Sequence, residues 1–116
     1  MKYLFVVICM TIFNSFVSAQ TQFEMNLEAS ENYKKADAEL NKVYKQLMNI
    51  LDADTKNLLK KAQLDWIKYR DSHCAFEGNV YEGGSAQPMA ISICLETVTR
   101  TRTQELQVSL EERSEK

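Results

Sequence analysis

The sequence predicts an all-α protein: a small antiparallel three-helix bundle with one disulfide, after an N-terminal signal peptide. Three observations carry this reading. All three glycines (Gly78, Gly83, Gly84) and the only proline, Pro88, fall in one short stretch, so residues 20–77 and 89–116 contain neither breaker. Apolar residues in those stretches recur at three- and four-residue intervals, the period of a helix face. Two cysteines, Cys74 and Cys94, remain once an export signal is removed.

The signal comes first. Met1 and Lys2 give a positive start, residues 3–13 (YLFVVICMTIF) are apolar, and Val17-Ser18-Ala19 places small residues where signal peptidase reads. Cleavage is expected after Ala19. The alternative is an uncleaved anchor, but at about 1.5 Å per residue this run covers only about half of a ~30 Å hydrocarbon core. Cys9 lies inside the run, well before the small residues, and leaves with it. The remainder, 20–116, is one helical domain. Its net charge is −3 against −2 for the whole chain, because Lys2 is lost.

Helix 1 is expected near 24–51. Tyr33, Ala36, Leu40, Val43, Leu47 and Ile50 follow 3-4-3-4-3 spacing, and Tyr44, Met48 and Leu51 widen the stripe. Asp52-Ala53-Asp54-Thr55 is a polar hinge whose side chains can cap the next helix. Helix 2 is expected over about 55–76, with Leu58, Leu59, Ala62, Trp66 and Tyr69 inward. A loop over 77–87 follows. Pro88 suits the first turn of helix 3, where a missing N–H costs nothing. Helix 3 carries Ile91, Leu95, Val98, Arg102 and Leu106 on one face with Cys94 beside them, and the charged residues 111–116 should fray.

An even cysteine count in an exported chain reads as a disulfide, Cys74 to Cys94, with free thiols the alternative that an oxidising compartment disfavours. It ties the end of helix 2 to the start of helix 3.

Charge narrows function. Lys and Arg number 14 against 16 Asp and Glu, and 45% of residues are hydrophobic. That balance excludes a disordered chain and gives no net positive field for nucleic acid. Lys56, Lys60 and Lys61 cluster without interleaved aromatics, a weak nucleic-acid signal. Glu31–Lys35, Lys35–Glu39 and Lys61–Asp65 are i,i+4 pairs that read as a solvated face. Asp37, Arg70 and Arg102 differ, because they adjoin the apolar stripes. With Trp66 they form a candidate structural polar core, and Asp37 is expected to pair with Arg70 or Arg102.

No catalytic or metal residues are assigned. The single His73 has no paired nucleophile, Ser85 lacks a Gly-x-Ser-x-Gly elbow, and His-x-x-x-His, Cys-x-x-Cys and phosphate-loop patterns are missing. Glu77 and Glu82 resemble a glycosidase pair only in number, since that chemistry needs a sugar cleft around them. The sequence therefore reads as a non-enzyme without a cofactor.

Three blocks carry a family resemblance: Ala36-Asp37-Ala38-Glu39-Leu40-Asn41-Lys42-Val43-Tyr44; Ala62-Gln63-Leu64-Asp65-Trp66-Ile67-Lys68-Tyr69-Arg70-Asp71-Ser72-His73-Cys74; and Cys94, Thr99, Arg102 and Leu106. Glu24-Met25-Asn26 and Gly83-Gly84-Ser85 add to them. Together they resemble the LprI-type lysozyme inhibitor domain over nearly all of 20–116. The resemblance implies an exported helical domain with a Cys74–Cys94 bridge, and a protein partner: lysozyme or another cell-wall hydrolase. Some relatives carry a further cysteine where this chain has Glu28, and lipoprotein members have an acylated N-terminal cysteine that this chain lacks. A soluble periplasmic or secreted protein, with no membrane insertion after cleavage, is therefore expected.

The candidate partner-binding loop is Glu77, Tyr81, Glu82, Gly83, Gly84 and Ser85. Tyr81 offers a large amphipathic contact, Gly83-Gly84 allows close backbone approach, and Glu82 and Ser85 can pair with cleft residues. The negative charge favours encounter with a basic lysozyme. A plain helix connection is the alternative for this segment. The rival function is a periplasmic adaptor or immunity-type module that uses a helix face and inhibits no lysozyme.

Overall fold

A computed structural model describes the backbone of residues 2–116 and the side chains of residues 21–116. The signal peptide expected over 1–19 lies outside the described side chains. Three helices are joined by short connections: α1 (Lys2–Ile50), α2 (Ala53–Gly78) and α3 (Gln87–Ser114), with a 3-10 turn, Asn79–Tyr81, directly after α2. No strand occurs among the described residues.

The hinge works as its chemistry requires. The Asp52 carboxylate accepts a 2.8 Å hydrogen bond from the Thr55 N–H while its own backbone is extended, which satisfies a free donor of the first turn. That bond holds the Asp52 carboxyl below its usual pKa. Leu51 and Asp52 alone separate the two helices.

α2 antiparallels α1, and α3 returns parallel to it. Gln22 on α1 reaches Met89 near the start of α3, and Ile50 lies beside Glu112 near its end. α3 is the shared wall: it runs along α1 and also carries α2, whereas the α1 and α2 backbones lie farther apart. The core forms between Leu40, Val43 and Leu47 of α1 and Leu106 of α3, with Tyr44, Leu51, Leu59, Trp66 and Leu110 packed around them. Burying each of those leucines contributes about 1.5–3 kcal/mol. Small residues let α1 and α3 approach: Ala29, Ala36 and Thr99 are all buried.

Several sequence expectations are corrected. α1 begins well before residue 24, because no Gly or Pro interrupts the chain there. α2 extends from Ala53 to Gly78, so the loop predicted over 77–87 shrinks to residues 82–86 plus the 3-10 turn. Glu77 is helical. α3 continues to Ser114, with Arg113 in its last turn complementing the helix dipole, so residues 111–114 do not fray. Glu31 pairs with Lys34 at 3.3 Å, one residue short of the Lys35 expected.

The inward face of α2 is also displaced. Leu58, Ala62 and Tyr69 face solvent, with Leu58 70% and Tyr69 57% exposed. The face towards the bundle carries Leu59, Gln63, Trp66, Ile67, Arg70, Cys74 and Gly78. Gly78 explains part of this: a Cβ there would collide with the Ile91 side chain of α3, so this position must be bare for the helices to touch. On α3 the most buried residue is Thr99, with Leu106; Ile91, Leu95, Val98, Arg102 and Cys94 are half-buried.

Candidate functional site

The α2–α3 junction is built by covalent and hydrogen-bonded ties. Cys74, fully buried, is joined to Cys94 with Cα atoms 5.5 Å apart. One turn later Gly78 meets Ile91. Beyond it the chain turns tightly: the Glu82 N–H donates to the Asn79 carbonyl at 3.0 Å, and the Gly84 N–H donates to the Tyr81 carbonyl at 2.9 Å. Gly83 has φ 76°, a left-handed conformation that L side chains adopt only with strain. The Gln87 N–H then donates to the Gly84 carbonyl at 3.3 Å as α3 begins.

α1 braces the same turn from the side. Asn26 Nδ2 donates to the Ser85 carbonyl at 3.0 Å, and Gln22 Nε2 donates to Asn26 Oδ1 at 2.8 Å, fixing the amide that makes the contact. Asn26 belongs to the block that carried the resemblance, but nothing in its spacing marked it as a loop brace, because the contact joins residues far apart in sequence.

Of the loop candidates, Tyr81, Glu82, Gly83, Gly84 and Ser85 share one exposed turn, with Tyr81 51% exposed, while Glu77 projects from the last turn of α2. Glu77 and Tyr81 also line an open groove of about 460 Å³ with His73, Met89, Ile93 and Thr97. The His73 ring stacks on Tyr69 with centroids 5.3 Å apart. The arrangement presents an aromatic ring and two carboxylates beside a braced backbone, which suits contact with a protein surface. Among the described residues no group of three or more His, Cys, Asp and Glu side chains is placed to hold a metal ion.

The polar cluster lies elsewhere, between α1 and α2. The Arg70 guanidinium sits over the Trp66 ring at 5.2 Å and the Tyr33 ring at 5.8 Å. Its Nη1 is 4.0 Å from Asp37 on α1, and its Nε donates to Asp71 at 2.9 Å. Arg70 is only 12% exposed in its side chain, against 41% for Asp37. Burial raises the pKa of Tyr33, and the Arg70 charge partly opposes that. Arg102 is separate from this cluster: its Nε donates to Gln63 on α2 at 3.1 Å and its Nη1 to Glu105 at 3.0 Å. Asp37 therefore meets Arg70 and not Arg102. The amide partner, Gln63, was missed because a neutral side chain leaves no mark in a charge-pairing argument.

Among the described residues no helix is long and apolar enough to cross a membrane. The family described as Lysozyme inhibitor LprI matches residues 14–106. An uncharacterized protein of Rhizobium meliloti (strain 1021) is 41% identical over 106 residues, covering 80% of this chain and 76% of that protein. No solved structure matches. The family match spans most of the chain and shows that the chain belongs to the LprI lysozyme inhibitor family.

Proposed function

We propose that this chain is an exported lysozyme-inhibitor-like protein, released from its signal peptide after Ala19, that blocks a peptidoglycan hydrolase by protein–protein contact and performs no catalysis itself. The observation that carries the reading is the turn at the α2–α3 junction. A disulfide closes its base, Asn26 braces its flank, and Tyr81 stands exposed on it. A braced turn loses little conformational freedom on binding, so more of its contact energy appears as affinity. Tyr81 supplies contact area, and Glu77 and Glu82 supply negative charge towards a basic enzyme. The site is the periplasm or the exterior of the cell, where the Cys74–Cys94 bridge persists.

A lysis assay tests it. Purified, oxidised protein in molar excess should slow lysozyme digestion of a peptidoglycan suspension, and Tyr81→Ala with Glu82→Lys should abolish protection while leaving the melting temperature unchanged. No protection by the wild type against any lysozyme type overturns the inhibitor reading in favour of an adaptor or immunity-type module. Full protection by the loop variant moves the contact off the turn.

A further inference from the structure

The open groove of about 460 Å³ at the α2–α3 junction is lined by one charged carboxylate, Glu77, and by no lysine or arginine. Glu82 follows Tyr81 on the turn beside it. Among the described residues neither carboxylate has an ion pair. The cations of α2 and α3 near this end are engaged or turned away. Arg70 is held by Asp71 and Arg100 by Glu96, and Lys68, five residues before His73, lies on another side of α2. The groove therefore presents an uncompensated negative charge.

Its polar lining is rich in acceptors. The Thr97 hydroxyl donates its proton to the Ile93 carbonyl at 2.9 Å, which leaves its oxygen to accept. The Glu77 carboxylate accepts only. Tyr81 and His73 add rings, and Ile93, 48% exposed, adds open apolar surface. A fitting ligand brings donors, positive charge and a flat face that tolerates rings. A guanidinium meets all three conditions: it has five N–H donors and no acceptor, keeps its charge, and is hydrated weakly enough to lie against an aromatic ring. An ammonium has the charge but is a compact, strongly hydrated point. A sugar has the donors but no charge. We propose that this groove seats an arginine side chain of the basic hydrolase, with the guanidinium against Tyr81 and donating to Glu77 and Thr97. The proposal rests on the reading of the adjoining turn as the hydrolase contact, and extends that contact onto the α2–α3 seam.

The walls of the seat are set before anything enters. The Cys74–Cys94 bridge and the tight approach of Gly78 to Ile91 fix the spacing of α2 and α3 at this end. Stacking of His73 on Tyr69, with centroids 5.3 Å apart, holds the imidazole. An incoming side chain therefore gives up its own freedom and little of the protein's. The apolar stem of arginine suits the exposed side chain of Ile93, so the charged head reaches Glu77 without leaving its stem in water.

NMR titration of the full, oxidised chain tests this with three short acetylated and amidated peptides that differ at one central residue: arginine, lysine, or citrulline, the uncharged isostere of arginine. The expected result is saturable shifts of the Glu77, Tyr81 and Thr97 signals with the arginine peptide, weaker ones with lysine, and none with citrulline. Glu77→Gln should lower the arginine affinity about fivefold, and Tyr81→Leu about threefold. Glu112→Gln, the same charge change at the far end of α3, should leave it unchanged. An equal response to citrulline, or none to arginine, overturns the proposal. So does saturable binding of an uncharged chitin tetrasaccharide at the same residues, which would give the groove to a glycan. A lysis assay separates this proposal from the reading beneath it. A wild type that slows no lysozyme but binds the arginine peptide, with the losses given, keeps the arginine seat and removes only the inhibitor. A protective wild type whose Glu77→Gln variant protects equally well overturns the seat and leaves the inhibitor standing.

Discussion

The guanidinium of Arg70 lies 5.2 Å from the centre of the Trp66 ring, one turn earlier on the same helix, with Tyr33 of α1 near its other contacts. The arginine therefore acts as a spacer between two helices as much as an ionic partner. Its planar, weakly hydrated head fits against rings in a way an ammonium does not. Arg70→Lys keeps the charge and should still destabilise by about 1–2 kcal/mol. Asp37→Ala should cost only about 0.5–1 kcal/mol, because Asp37 is half exposed, the pair is at 4.0 Å and Arg70 keeps Asp71. Chemical denaturation of the two variants separates these outcomes; a larger loss for Asp37→Ala would make the ion pair the main tie.

Thr99 is fully buried and its hydroxyl has no hydrogen-bond partner among the described residues. Its neighbours Thr97, Thr101 and Thr103 each donate to the carbonyl four residues earlier. Leaving a buried hydroxyl unpaired carries a desolvation cost, so the isosteric Thr99→Val should stabilise the fold by about 1 kcal/mol. A lower melting temperature in that variant would refute this.

Gly78→Ala should destabilise by about 1–3 kcal/mol through overpacking against Ile91. The diagnostic is a double-mutant cycle: adding Ile91→Ala should make the combined cost clearly smaller than the sum of the singles.

Reduction of Cys74–Cys94 should lower stability by about 3 kcal/mol on the chain-entropy view. Thermal melts with and without excess reductant measure it, and coincident melts would show an idle bridge.

The Asp52 cap gives a pH dependence with a defined sign. Its folded pKa is depressed by the Thr55 N–H, so its contribution is present above the unfolded carboxylate pKa and lost as pH falls through the folded one. Asp52→Asn should flatten the acid limb of the stability curve slightly while keeping most of the neutral-pH stability; a steeper acid limb would contradict the cap.

Much of this architecture was legible before any coordinates. Breaker placement located the α2–α3 junction, and Asp52 and Thr55 announced the cap. The α1 stripe held from Ala36 to Leu47, which form an apolar face against α3, but not at its last member, Ile50, which is 47% exposed at the helix end. The stripe on α2 held at Leu59 and Trp66, which pack against the core, and misled at Leu58, Ala62 and Tyr69, because α2 carries apolar residues on two sides and one is left in solvent. The bundle instead uses the side with Gln63 and Arg70, whose polar heads are satisfied by Arg102 and by two aromatic rings. Periodicity counts apolar residues; it does not see that a stacked guanidinium can fill an interior. Tyr81 to Ser85 do share one turn, Glu77 sits on the helix before it, and the brace, Asn26, depends on a contact that only the folded chain creates.

That α3 is the wall to which both other helices attach has a consequence for truncation. Leu106 of α3 completes the cluster of Leu40, Val43 and Leu47, so a hairpin of α1 and α2 alone covers that face only in part, through Leu59 and Trp66. A chain cut before Leu106 therefore yields a hairpin with an unclosed core rather than a smaller version of the same protein.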